Sequence, residues 1–79
     1  MNSAKKDIEI FGLKNELNEC FEKFFNLTEK ERTLKISYNT TEKSKKFSVL
    51  DEIQNVGRDL NNTKERIYKI KNRLFTLKG

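Results

Sequence analysis

The sequence predicts an all-α chain, an antiparallel helical hairpin with coiled-coil heptads that completes a helical bundle by oligomerisation. Three observations predict it. Apolar residues recur at alternating spacings of three and four through both halves of the chain. No proline interrupts either half. Within each periodic half, acids gather early and bases late, so that opposite charges meet when the chain folds back on itself. Two other architectures fit the same residues. One is helix–β-hairpin–helix; the other is a compact three-helix domain with a break near Thr28.

The first helix is expected over about residues 4–38. Ile10, Leu13, Leu17, Cys20, Phe24 and Leu27 set its stripe, and the same register continues to Leu34 and Tyr38. Ser3 is the expected N-cap, with Asp7 and Glu9 near the positive end of the helix dipole. Thr28 followed by Glu31 reads as a further capping box, which allows a kink near residue 28. Ile8, Phe11, Phe21 and Phe25 widen the stripe beyond one seam, and a broad stripe implies more than one neighbouring helix.

Residues 39–47 read as a polar loop. Across 34–49, however, Leu34, Ile36 and Tyr38 alternate with Lys35 and Ser37, and Phe47 and Val49 alternate across Ser48. That pattern carries the β-hairpin alternative. Helix is favoured because an isolated two-stranded hairpin is marginal in water.

The second helix is expected over 48–78. Val49, Ile53, Val56, Leu60, Thr63, Ile67, Ile70, Leu74 and Leu77 form an unbroken a/d register whose only polar member is Thr63. Ser48 and Asp51 resemble a capping box. Gly57 falls at an e position, where it costs about 1 kcal/mol relative to alanine and suggests a bend or a close helix approach. Folding back near residue 43 brings together positions whose numbers sum to about 87. Glu16 is then expected near Lys71 and Arg73, and Glu19 and Glu22 near Lys64 and Arg66. Lys30, Arg32 and Lys35 are expected near Asp51, Glu52 and Asp59.

Composition narrows the function. The 79 residues form a single helical domain, 1–79, with 17 Lys and Arg against 12 Asp and Glu, no histidine and one cysteine. The counts exclude zinc sites of the Cys–His type and nucleophile–histidine pairs, and three glycines build no phosphate cradle. No enzyme activity, cofactor or metal is expected. Cys20 reads as a small buried hydrophobe. With no signal peptide or spanning segment, a cytoplasmic location is expected, or a nuclear one in a eukaryote.

A two-helix hairpin has one internal seam and leaves Phe11, Phe21, Phe25, Tyr68 and Phe75 under-covered. These five are the expected partner-binding residues of a non-catalytic interaction module, an assembly subunit, adaptor or small regulator. Its partner is a second copy (a homodimer) or another helical protein. The second reading is a basic nucleic-acid-binding helical dimer that contacts RNA or DNA through Lys64, Arg66, Lys69, Lys71, Arg73 and Lys78, interleaved with Tyr68 and Phe75. A membrane is not an expected partner.

Overall fold

The computed structural model describes residues 2–78, with side-chain surroundings over 4–78. It is a helical hairpin. Helix α1 (Asn2–Thr40) is followed by one 3-10 turn (Lys43–Lys45), and helix α2 (Lys46–Lys78) returns alongside α1. The two helices form a rod of 63 × 14 × 14 Å. Its length is about that of 39 helical residues at ~1.5 Å each.

Between the helices the apolar spacing becomes burial. Val56, Leu60, Thr63, Ile70 and Leu74 are buried, and Ile53, Ile67 and Leu77 half-buried, at alternating steps of three and four along α2. Facing them, Ile10, Leu13, Leu17, Cys20, Phe24, Leu27 and Leu34 of α1 are half-buried. A helix pair encloses its seam from only two directions, which leaves the larger α1 side chains partly wet. Thr63, the polar member, is 5% exposed and satisfied locally, its hydroxyl donating to the Asp59 carbonyl at 2.8 Å. That carbonyl also has its helical N–H, so the hydroxyl is dispensable. Thr63→Val is expected to stabilise the hairpin by about 1 kcal/mol, a buried methyl replacing a hydroxyl. In a domain of this size that raises the melting midpoint by roughly 4–8 °C; a fall in the midpoint would contradict the assignment.

Several boundary expectations are corrected. α1 passes through Thr28 unbroken, and the Thr28 hydroxyl donates backward to the Phe24 carbonyl at 2.8 Å instead of capping a new helix. The three-helix alternative with a break there is therefore not the structure of this chain. Among the described residues there is no strand, so the β-hairpin alternative over 34–49 falls as well. Leu34, Ile36 and Tyr38 belong to α1, where Leu34 and Tyr38 join the seam and Ile36 points to water.

The expected 39–47 loop shrinks to Thr41, Glu42 and the 3-10 turn. Ser37 explains where α1 stops: its carbonyl accepts from the Thr41 N–H at 2.8 Å and from the hydroxyls of Thr40 and Thr41. Glu42 then adopts an extended conformation (φ −57°, ψ 144°), and the Lys45 N–H bonds the Glu42 carbonyl at 2.9 Å to start the return. No residue here has positive φ, so the reversal needs neither glycine nor proline.

Both outer capping assignments also fail. Ser48 lies inside α2, which begins at Lys46, and Ser3 lies inside α1, its side chain outside the described residues. Neither helix has an acid in its first turn. Asp7, Glu9, Asp51 and Glu52 therefore sit beyond the reach at which the helix dipole rewards them strongly.

Candidate interaction face

Heptad letters assigned from the seam residues separate the two sides of the rod. Position a holds Ile10, Leu17 and Phe24 of α1 and Ile53, Leu60, Ile67 and Leu74 of α2. In an antiparallel pair the e positions of both helices share one side of the seam and the g positions share the other, with b next to e and c next to g. The contacts agree. On the g side, Arg66 donates through Nε to Glu16 at 2.8 Å and also through its terminal nitrogen, while Arg73 donates to Glu9 at 3.0 Å and 2.8 Å. On the e side, the ammonium of Lys71 lies 5.5 Å from the Phe21 ring centre and that of Lys64 lies 5.9 Å from Phe24.

Apolar residues divide sharply between these sides. Phe11, Phe25, Phe47, Tyr68 and Phe75 fall at b, Phe21 and Leu50 at e, and Ile8 and Ile36 at the adjoining f. All nine are exposed, from 39% at Leu50 to 82% at Phe47. At c and g, by contrast, the described residues include no large apolar side chain at all. The hairpin as a whole is thus amphipathic, with a wet side of c and g and a non-polar side of e and b. A shallow groove of about 250 Å³ runs along the non-polar side, lined by Phe21, Phe24, Lys64, Ile67, Tyr68 and Lys71.

Charge divides as well. At c and g five acids (Glu9, Glu16, Glu19, Glu52, Asp59) face six bases (Lys5, Lys23, Lys30, Arg66, Lys69, Arg73). At e and b one acid, Asp7, stands against Lys14, Arg32, Lys35, Lys64, Lys71 and Lys78, while the adjoining f positions hold Glu22, Glu29, Asp51 and Glu65 against Arg58. The chain's net +5 is therefore matched by the surplus at e and b, six less one.

The five aromatic residues expected at a partner interface, Phe11, Phe21, Phe25, Tyr68 and Phe75, lie together on the e/b side. The six basic residues considered for nucleic acid do not converge. Lys64, Lys71 and Lys78 share the aromatic side, Arg66 and Arg73 are paired with acids on the opposite one, and Lys69 at c is also on that opposite side. The expected pairing of Glu16 with Lys71 and Arg73 is corrected to Arg66, and Arg73 takes Glu9. Contacts on the g side sum to 82 and those on the e side to 88 and 92, bracketing 87, because long side chains reach diagonally past their opposite number. Exposed pairs of this kind contribute about 0–1 kcal/mol each, so they bias orientation more than stability.

Phe47, Leu50 and Lys14 were not singled out from sequence as members of this face. The signal was present in the spacing, since Phe47, Tyr68 and Phe75 are separated by multiples of seven. Cys20 is half-buried and borders a smaller g-side cleft with Lys23, Asn62, Thr63 and Arg66. Among the described residues no cluster of His, Cys, Asp or Glu is arranged to hold a metal ion, and no helix is long and apolar enough to cross a membrane. Comparisons with protein-family models, with curated proteins and with solved structures find no match to this chain.

Proposed function

We propose that this chain is a non-catalytic helical interaction module, the hairpin being part of a coiled-coil bundle that a second copy or another helical protein completes. The observation that carries the reading is the segregation of every exposed large apolar residue to the e, b and f positions, with none at c or g. Scattered surface apolar residues need no explanation, but a continuous one-sided set marks an interaction surface. Area supports the same reading. A compact monomer of 9.4 kDa exposes roughly 5,000 Å², whereas the hairpin exposes 6451 Å². The excess, roughly 1,400 Å² by the same scaling, exceeds the ~800 Å² that one partner contributes to an ordinary stable interface. An adaptor, assembly subunit or small regulator would work through such a surface.

A photocrosslinking amino acid placed singly at Phe25, Phe75, Asn62 or Thr76 tests this in the native host. Protein adducts are expected from positions 25 and 75 and not from the wet-side positions 62 and 76, with adduct mass separating a second copy from another chain. Absence of protein adducts at 25 and 75, or equal labelling on both sides, would overturn the reading. Phe75→Glu should abolish the adduct at 25 while leaving helicity intact, because Phe75 is 79% exposed and the fold does not depend on it.

A further inference from the structure

We propose that the e/b face seats an acidic amphipathic helix of another chain, its carboxylates over Lys64 and Lys71 and its apolar stripe on Phe21 and Tyr68; the proposal rests on the bundle reading above. Charge complementarity selects the occupant. Lys14, Arg32, Lys35, Lys64, Lys71 and Lys78 stand at e and b against Asp7 and against Glu31, which reaches this side from a and pairs with Lys35 at 3.6 Å. The acids at f, Glu22, Glu29, Asp51 and Glu65, lie outside the groove that holds Lys64 and Lys71. A second copy laid face to face brings this same basic set against itself, which like-charge repulsion penalises. A helix carrying Asp and Glu beside its apolar stripe meets both demands at once.

Geometry fixes where the charges fall. Lys64 and Lys71 are exposed and lie over the rings of Phe24 and Phe21, lining the groove between the two helices. Phe21 and Phe24 of α1 and Ile67 and Tyr68 of α2 line the rest of it. A third helix lying in that groove buries the ammonium groups under its own flanks, where a carboxylate at e or g of the incoming helix pairs with them. Phe11 to Phe25 spans fourteen residues of α1, about 21 Å, so roughly four turns of partner helix cover the aromatic section.

The same placement disfavours other polyanions. Arg66 and Arg73, the groups best shaped to grip phosphate, are on the opposite side and engaged by Glu16 and Glu9. For an anionic bilayer, the lysines sit between the two aromatic rows, where insertion of the rings would drag the charges inward; interfacial helices keep their cations on the polar face.

The full chain is titrated with four labelled or suspended probes. They are a four-heptad peptide with leucine at a and d and glutamate at e and g, its twin with lysine at e and g, a poly-dT oligonucleotide, and phosphatidylcholine–phosphatidylserine vesicles. The acidic peptide is expected to bind at least about tenfold tighter than its basic twin, with the margin shrinking as salt rises. The exposed double substitution Lys64→Glu with Lys71→Glu should reverse the preference while circular dichroism stays unchanged. Phe21→Ala with Tyr68→Ala should weaken the acidic peptide without reversing it. Equal affinity for the two peptides, no binding of either, or tighter binding of oligonucleotide or vesicles overturns the proposal. A tight homodimer by light scattering, with the acidic peptide excluded, overturns this occupant but leaves the bundle reading standing; only loss of one-sided photocrosslinking removes both.

Discussion

Ile70→Ala is expected to remove most of the cooperative stability of the hairpin. Ile70 is 2% exposed, the most enclosed large side chain of the seam, and it sits in the half of α2 that faces Leu17 and Leu13. Truncating a buried isoleucine to alanine costs about 2–5 kcal/mol, from lost transfer free energy and an incompletely collapsed cavity. A chain of this size draws only a few kcal/mol from a single core, so the loss is comparable with the total. The measurement is urea unfolding followed by helical circular dichroism at the lowest workable protein concentration, where association does not contribute. Ile8→Ala is the matched control: Ile8 is 73% exposed, and its truncation should change stability by no more than about 0.5 kcal/mol. Equal effects at the two positions would mean that the seam does not hold the helices together.

The second large effect has the opposite sign. Gly12→Ala combined with Gly57→Ala is expected to stabilise the hairpin by about 1.5–2 kcal/mol, since each glycine in a helix interior is about 0.8–1 kcal/mol worse than alanine. Neither position resists a methyl group. A Cβ at Gly12 meets nothing within 4 Å, and one at Gly57 meets only the flexible carboxylate tip of Glu31 at 4.0 Å. Neither glycine has positive φ. The suggestion that Gly57 marks a bend or a close helix approach is thus not supported by its surroundings. The sites lie toward opposite ends of the rod, so their effects should add, raising the melting midpoint by roughly 6–16 °C. A midpoint that stays level or falls would point to a backbone requirement at one of them.

How much of this was legible in the sequence differs from element to element. The α2 seam was fully legible, because a helix that buries one stripe must repeat it near every 3.5 residues, and Val56, Leu60, Thr63, Ile70 and Leu74 do so. The connection was not. Asn39, Thr40, Thr41 and Ser44 favour loops by competing for backbone hydrogen bonds, yet here the threonine hydroxyls of 40 and 41 bond the Ser37 carbonyl and close the helix end. Thr28 misled similarly: the same hydroxyl that caps a helix start can back-bond within a helix, and only the conformation of the preceding residues decides which.

The candidate face was legible in its members but not in its unity. Five aromatic side chains stand out as too many for one seam. That they share a side follows only when the helices are paired antiparallel, so that e meets e and g meets g. The basic stretch from Lys64 to Lys78 divides for the converse reason. Lys64, Lys71 and Lys78 recur every seven residues and so do Arg66 and Arg73, but a helix rotates consecutive residues by about 100°, so the two rows face opposite sides of the seam.

The wet side of the rod, with no large apolar residue at c or g among the described residues, limits how far any assembly can grow. Open filaments arise when a molecule carries two different complementary patches, so that each added unit exposes a fresh one. On the function proposed above, this hairpin would have a valency of one. With the e/b side covered, the c and g positions left facing outward carry five acids against six bases and, among the described residues, no large apolar side chain, so the complex would terminate at a definite stoichiometry.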